Sequence, residues 1–328
     1  MNAAAPPAGQ TRRQVLKVVA AVAALPLGAL ALRHLAGRPA PQTWTGESLG
    51  GPARLTLWHT DAAFARRTIL RMRVEIERLE RVFSLLRHDS EVARLNRTGR
   101  LAGGSADLVA VVEEALRASA LSGGAFDPTV QPLWRLYESH YRVHPDDRAG
   151  PPAAAIDAAR AKVGYRNLAV DGRRVALAGD GMAVTLNGIA QGYITDRIAD
   201  LLREEGFDQA MVELGETRAL GQSPEGGPWS IGLKNPRDPL TVNRTVAVAN
   251  EAVAVSGGYG MRFGRSTSHH IFDPATGRSA DRLLDVTVVA PRATTADALA
   301  TAIFVAGEAA APRLLAAYRG ARAMFTPA

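Results

Sequence analysis

Residues 185–197 have the composition of a binding site for a phosphorylated ligand. Gly188 and Gly192 occupy a short loop that follows a predicted strand end. Apolar residues then recur at helical spacing, up to a glycine that would end the helix: Ile194, Ile198, Leu201, Leu202 and Gly206. A helix N-terminus presents free backbone N–H groups and the positive end of a dipole, and both attract phosphate. The alternative interpretation is an ordinary glycine turn between a strand and a helix.

A second pair of oxygen-bearing side chains lies near the C-terminus. Asp297 and Thr301 are four residues apart in the last predicted helix, so both side chains lie on one face of it. The alternative is that Thr294 and Asp297 form a capping pair and that Thr301 is merely buried. The residues by themselves leave both interpretations open.

The elements that would hold these groups alternate between helices and short strands. A long amphipathic helix is predicted by an apolar stripe at steps of three and four: Ile69, Met72, Ile76, Leu79 and Phe83. A second helix is predicted over residues 107–121, where Gly123 and Gly124 end it, and the last helix opens at Thr294. Strands are predicted over residues 49–59, 168–170, 175–177, 209–214, 229–233, 245–248, 252–255 and 286–289, and a surface loop over residues 143–155.

Composition excludes several classes of function. The 328 residues include no cysteine, which excludes disulfides, thiol catalysis and cysteine metal sites. The formal net charge is +7, but five of the basic residues precede the first acid: Arg12, Arg13, Lys17, Arg33 and Arg38. The remaining 34 basic and 32 acidic residues are interspersed, so nucleic-acid binding is not favoured.

Residues 1–40 are predicted to be a twin-arginine signal segment and linker. Arg12 and Arg13 precede an uncharged run over residues 18–32, which is short for a membrane span. A candidate cleavage site follows at residues 29–31. The expected location is therefore the periplasm, and the alternative is an uncleaved anchor in the inner membrane.

Four motifs in order carry a resemblance to a known family. They are Gly124-Ala125-Phe126-Asp127-Pro128-Thr129, Gly188-Ile189-Ala190-Gln191-Gly192-Tyr193, His270-Ile271-Phe272-Asp273-Pro274-Ala275-Thr276-Gly277 and Ala296-Asp297-Ala298-Leu299-Ala300-Thr301. In this order and at these separations the chain resembles the FAD:protein FMN transferase family, often called ApbE. Residues 186–193 look most like the NosX branch, whose exported members are linked to nitrous-oxide reductase maturation.

The resemblance implies a fold and an activity. It implies one flavin transferase domain over residues 41–328, of the α+β class, with antiparallel sheets packed with helices and an active site between two halves. It also implies that the enzyme uses Mg²⁺, takes FAD as substrate, transfers FMN to a Thr or Ser hydroxyl of a partner protein and releases AMP. The expected partner is a periplasmic or membrane redox protein.

The resemblance also assigns roles to residues. It implies a metal site formed by Asp297, Thr301 and a backbone carbonyl near Gly188. It implies catalytic roles for His270 and Asp273, whose alternatives are a histidine satisfied within a hairpin and a turn-starting Asp-Pro pair. The implied contacts with FAD are at Leu49, Leu86, Ala125, Phe126, Asp127, Thr185, Gln191 and Ile271.

Four of these positions depart from the family pattern. Thr185 stands where an Asp is usual, Gln191 where a Lys is common, Leu86 where many members have a Tyr, and Leu49 where Met is common. Two alternative functions remain: an FAD pyrophosphatase that uses water in place of the partner hydroxyl and would have nearly the same site, and a non-catalytic periplasmic flavin-binding protein, which the departures at Thr185 and Leu86 favour. A Walker-type ATPase and an α/β-hydrolase are disfavoured, because neither signature motif is present.

Overall fold

The computed structural model describes residues 39–328. The predicted signal segment, with its twin arginines and its candidate cleavage site, lies outside the described residues. Among the residues described, no helix is both long enough and apolar enough to cross a bilayer.

Fourteen strands and eight α-helices are described. The strands are β1 (Gln42–Ser48), β2 (Gly51–Leu57), β3 (Arg100–Leu101), β4 (Leu168–Asp171), β5 (Arg174–Leu177), β6 (Ala210–Glu213), β7 (Thr217–Leu220), β8 (Trp229–Asn235), β9 (Asp238–Val248), β10 (Ala252–Gly257), β11 (Phe272–Asp273), β12 (Arg278–Ser279), β13 (Leu283–Ala290) and β14 (Arg322–Pro327). The helices are α1 (Ala62–Phe83), α2 (Glu91–Thr98), α3 (Ala106–Ser122), α4 (Gln131–Val143), α5 (Ala153–Arg160), α6 (Ala190–Glu204), α7 (Ala293–Ala306) and α8 (Ala311–Ala316).

A seven-stranded sheet forms the centre of the molecule. Its strand order is β1-β2-β6-β7-β10-β13-β14, and all of its pairs are antiparallel. Side chains alternate between the two faces of a strand, so Ala254 packs into the core under the helices while its neighbour Val253 packs under the β8–β9 hairpin. The sheet is therefore covered on both sides, by α1, α6 and α7 on one face and by the hairpin on the other.

A smaller part of the molecule is built on aromatic side chains. Tyr137 of α4 packs against Phe272 of β11, with ring centroids 4.8 Å apart, and against Phe263 at 5.9 Å. These rings belong to a separate apolar cluster that also includes α5. The cluster supports the segment that leads to the predicted catalytic histidine.

Most predicted elements are confirmed, and the expected α+β class with antiparallel sheets is confirmed with them. The long apolar stripe lies in α1, the second predicted helix is α3, and α6 ends before Gly206, whose φ of +87° suits a glycine.

Three predictions of local structure need correction. The strand predicted over residues 49–59 is present as β2, Gly51–Leu57, but its partner β1 was not predicted, and Leu49 and Gly50 between them both take positive φ and reverse the chain. The strand predicted to end just before Gly188 is absent, since the backbone of Val184 and Thr185 is bonded to the side chain of Asn96 and to the carbonyl of Pro128 instead of to a neighbouring strand. The expected loop over residues 143–155 is shorter, because α5 begins at Ala153.

Candidate functional site

Asp297 lies in the first half of α7 and points into the protein. Its side chain is buried, and its Oδ2 accepts a hydrogen bond of 3.0 Å from the backbone N–H of Gly192. The capping alternative is wrong, because the N-cap of α7 is Arg292 and makes no side-chain cap bond. The N–H groups of Ala293 and Thr294 are bound instead by Asp196 of α6. Asp297 is therefore free of a capping role.

Thr301, Gly188 and Phe126 meet one turn further along α7. A Cβ atom added to Gly188 would lie 3.2 Å from Thr301 Oγ1 and 3.3 Å from Phe126 Cε2. Thr301 Oγ1 also lies 3.1 Å from Ser256 Oγ at the end of β10. Three of the four predicted motifs thus converge here. Ser256, which was not predicted as a site residue, lies beside them.

A second buried carboxylate, Glu216, lies in the turn between β6 and β7. Burial raises the pKa of Asp297 to about 7, and burial followed by the charge of Asp297 raises the pKa of Glu216 well above its usual range. Neither carboxylate forms an ion pair with an arginine among the described residues. Glu216 was not predicted as a site residue, although its place after a buried strand and a glycine was noticeable in the sequence.

Asp297 and Glu216 offer carboxylate oxygens to a cation, but two carboxylates alone do not make a cluster of three or more acidic ligands. Within residues 39–328, no group of three or more His, Asp or Glu side chains has the arrangement of a metal site. The predicted ligand set has one carboxylate, one hydroxyl and one carbonyl, which suits a metal that keeps several waters.

The histidine segment lies against the same helix. The ring of His269 packs edge-on to Phe304 of α7, with centroids 5.7 Å apart, and sits over Gly258. Its Nε2 donates to the carbonyl of Ala280 at 2.8 Å, and its Nδ1 accepts from the N–H of Ile271 at 3.3 Å. Both nitrogens of His269 are thus used to hold the segment.

His270 is bonded differently. Its Nδ1 lies 3.2 Å from the carbonyl oxygen of Met261, so this nitrogen carries the proton and Nε2 keeps its lone pair. Burial lowers the pKa of the imidazole and favours this neutral form. His270 therefore has the protonation state of a general base.

Asp273 serves a turn in the structure. Its Oδ1 accepts from the N–H of Ala275 at 2.9 Å, and its backbone carbonyl accepts from the N–H of Gly277 at 2.8 Å. These bonds form the Asp-Pro turn that was the alternative to a catalytic role for Asp273.

Asp127 and Thr185, both predicted to contact FAD, are bonded to their own surroundings. Asp127 is buried, with Oδ1 accepting from the N–H and hydroxyl of Thr129 and Oδ2 accepting from the N–H of Tyr165. Thr185 donates its N–H to the carbonyl of Pro128 at 2.7 Å. These bonds hold the segments around Phe126 and Gly188 against each other.

The remaining predicted contacts lie at the ends of elements. The N–H of Leu49 donates to Glu80 Oε1 at 2.9 Å, and Leu86 is 74% exposed between α1 and α2. The side chain of Gln191 covers Gly215, where an added Cβ would lie 2.5 Å from its Cδ. Ala125 is half-buried beside Phe126, and Ile271 is buried beside His270.

A cleft of about 250 Å³ lies under the β8–β9 hairpin. Its lining includes Gly215, Glu216, Thr217 and Tyr259, so it borders the β6–β7 turn that carries the second carboxylate. The predicted FAD contacts do not line it.

Comparison with known proteins shows which family the chain resembles. The ApbE family model matches residues 49–325. An FAD:protein FMN transferase of Vibrio cholerae is 35% identical over 248 residues, covering 72% of this chain and 74% of the relative. A transferase of the same name from Treponema pallidum is 33% identical, covering 85% of this chain and 86% of the relative.

Solved structures give the same result. The flavin transferase ApbE of Vibrio cholerae superposes with a TM-score of 0.76 at 29% identity, covering 87% of this chain and 94% of that one. The ApbE protein of Thermotoga maritima superposes with a TM-score of 0.77 at 30% identity, with the same coverage. With a family match over most of its length and a shared fold, this chain belongs to the ApbE family.

Proposed function

We propose that this chain is a Mg²⁺-dependent FAD:protein FMN transferase that attaches FMN to a Thr or Ser hydroxyl of an exported redox protein. The names of the curated relatives support the transferase activity. The observation that carries the proposal is that the loop at Gly188–Gly192 meets two successive turns of α7, where Gly192 donates to Asp297 and Gly188 lies against Thr301 and Phe126.

The donor set fits Mg²⁺. Asp297 and Thr301 offer hard oxygen atoms on one face of α7, and the backbone at Gly188, whose carbonyl is the predicted third ligand, lies against Thr301. Burial raises the pKa of Asp297 because it penalises the charged carboxylate. A bound cation offsets that penalty by neutralising the charge. When bound, Mg²⁺ would supply Lewis-acid neutralisation of the FAD pyrophosphate.

The protein's own groups position the reactants and move one proton. The acceptor hydroxyl oxygen forms a bond to the phosphorus of the FMN half, the bond from that phosphorus to the AMP oxygen breaks, and AMP leaves. The hydroxyl proton passes to Nε2 of His270, which is the unprotonated nitrogen of that ring. Such transfers depend mainly on positioning and charge neutralisation. Asp273 supports this segment through its turn, and a direct catalytic role for it stays a prediction.

Location and partner are part of the same proposal. The twin-arginine pattern at Arg12 and Arg13 supports export to the periplasm, with an uncleaved inner-membrane anchor as the alternative. The NosX-like wording of residues 186–193 supports a role in nitrous-oxide reductase maturation through a membrane redox subunit.

The test is a transfer assay with purified protein, FAD, Mg²⁺ and a candidate acceptor, followed by in-gel flavin fluorescence. Asp297→Asn keeps the size of the side chain but removes its charge, so transfer should fall by orders of magnitude and recover partly at raised Mg²⁺. Transfer above about a tenth of the wild-type rate at low Mg²⁺ would sink the metal assignment.

AMP release separates the alternatives. A transferase releases AMP in step with flavinylation of the acceptor, a pyrophosphatase releases AMP at the same rate without the acceptor, and a flavin-binding protein releases none.

A further inference from the structure

We infer that Asp196 is a positioning residue for the metal site: it fixes the first turn of α7 and thereby places Asp297. The inference rests on the metal role of Asp297 in the proposed function. Asp196 is fully buried in α6. It is not one of the residues assigned to the site above.

Five hydrogen bonds converge on the carboxylate of Asp196. Oδ1 accepts from Arg218 Nη1 at 2.5 Å and from the N–H of Ala293 at 2.9 Å. Oδ2 accepts from Arg292 Nε at 3.1 Å, from the N–H of Thr294 at 2.9 Å and from its hydroxyl at 2.7 Å. Three of the five donors belong to the first two residues of α7.

These bonds replace a missing cap. The first N–H groups of a helix have no partner within the helix, and α7 has no side-chain N-cap of its own. Asp196 satisfies two of them from a neighbouring helix, and its negative charge lies at the positive end of the α7 dipole. The start of α7 is therefore fixed to α6 and not left to fray.

The contact between α6 and α7 continues from Asp196 to Gly192, which is bonded to the proposed metal ligand Asp297. Gly192 lies four residues before Asp196, so both face α7. An added Cβ on Gly192 would lie 2.3 Å from the carbonyl oxygen of Ala293, and the N–H of Gly192 donates to Asp297. Asp297 is four residues after Ala293, so a shift of the first turn moves its carboxylate against Gly192.

The competing explanation is that Asp196 belongs to a buried ion cluster and only stabilises the fold. Asp200, one turn later, separates the two explanations. It binds the same two arginines, Arg218 at 3.2 Å and Arg292 at 2.7 Å, but no hydrogen bond joins it to the backbone of α7. Asp200→Asn is therefore a matched control that weakens the cluster and leaves the α7 cap in place.

The variants are compared by their affinity for Mn²⁺ alone, measured calorimetrically on FAD-free protein. In Asp196→Asn one oxygen becomes an NH₂ group that faces N–H donors, so the first turn must shift. We expect its dissociation constant for Mn²⁺ to rise about tenfold or more, while that of Asp200→Asn stays within about threefold of wild type. In the transfer assay, excess Mg²⁺ should rescue Asp196→Asn, because the ligands themselves remain.

Two variants of Thr294 test the same inference with a smaller perturbation, in case Asp196→Asn does not fold. Thr294→Val removes one of the five donors and should weaken Mn²⁺ binding about threefold, while Thr294→Ser keeps the hydroxyl and should restore it.

The outcomes separate the inference from the proposed function. Wild-type affinity in folded Asp196→Asn, equal losses in Asp196→Asn and Asp200→Asn, or equal affinity in the two Thr294 variants would each overturn the positioning role. Undiminished Mn²⁺ binding in Asp297→Asn would instead overturn the metal assignment in the proposed function.

Discussion

The contact between α6 and α7 at Gly192 gives a sharp prediction. The Cβ atom of an alanine at this position would lie 2.3 Å from the carbonyl oxygen of Ala293 and 2.8 Å from the N–H nitrogen of Thr294. Both are backbone atoms, which cannot move aside by changing a rotamer. Gly192→Ala must therefore push the start of α7 away from α6.

The size of the effect follows from these distances. Ordinary contact begins at 3.4 Å, so α7 must move by about 1 Å. Overpacking of this kind costs about 1–3 kcal/mol, and the higher helix propensity of alanine offsets at most about 1 kcal/mol. A net loss of about 2 kcal/mol lowers the melting temperature by about 4–8 °C in a domain of this size. Because the displaced helix carries Asp297, transfer should fall about 100-fold.

Two further glycines complete a graded series. Gly188→Ala meets Thr301 and Phe126 at 3.2–3.3 Å, so neighbours need to yield by only a few tenths of an ångström. We expect its melting temperature to change by less than about 3 °C, with transfer reduced about tenfold. Gly103→Ala has no atom within 4 Å and should match wild type.

The assays are a thermal melt followed by flavin transfer at saturating FAD. If Gly192→Ala melts and transfers like wild type, or if Gly103→Ala is as damaged as Gly192→Ala, the argument from close helix contact is refuted.

Three further predictions concern charge, substrate and export. Because the folded state raises the pKa of Asp297 to about 7, this group stabilises the metal-free fold fully below its ordinary pKa and loses that contribution as pH rises through about 7. The melting temperature of metal-free wild type should thus fall between about pH 5 and pH 8 more than that of Asp297→Asn, and equal falls would contradict the burial of this charge. Thr185→Asp restores the usual family residue and should keep or tighten FAD binding by calorimetry, whereas loss of binding in a folded variant would mean that this chain uses Thr185 differently. Changing both Arg12 and Arg13 to Lys should strand the protein in the cytoplasm, and unchanged periplasmic accumulation on fractionation would rule out the twin-arginine route.

Periodicity predicted the elements that bury one face. The stripe in α1 and the glycine that ends α6 needed only local sequence, since helical spacing and a positive φ are properties of a few neighbouring residues. The β1–β2 hairpin was missed because Leu49, a non-glycine residue, takes a positive φ in its turn. That conformation depends on tertiary contacts such as the bond from its N–H to Glu80.

The motifs predicted the family, which is confirmed, but not the surroundings of the site. Neither Glu216 nor Asp196 was predicted as a site residue, because each acts through a partner distant in sequence, Asp297 in one case and the start of α7 in the other. Asp127 belongs to one of the four motifs, but its carboxylate accepts hydrogen bonds from Thr129 and Tyr165, and residue spacing could not reveal those bonds. The assignments of individual catalytic and FAD-binding residues stay predictions.

Helix α7 has no exposed residue: each of its side chains is buried or half-buried against the sheet and its neighbours. A substitution anywhere along it is therefore judged first by whether the protein folds, and only then by what it does to the reaction. The four departures from the family pattern, at Leu49, Leu86, Thr185 and Gln191, all lie outside this helix, in turns, loops or the first turn of α6. The four departures therefore leave the tightly packed side chains of α7 itself unchanged.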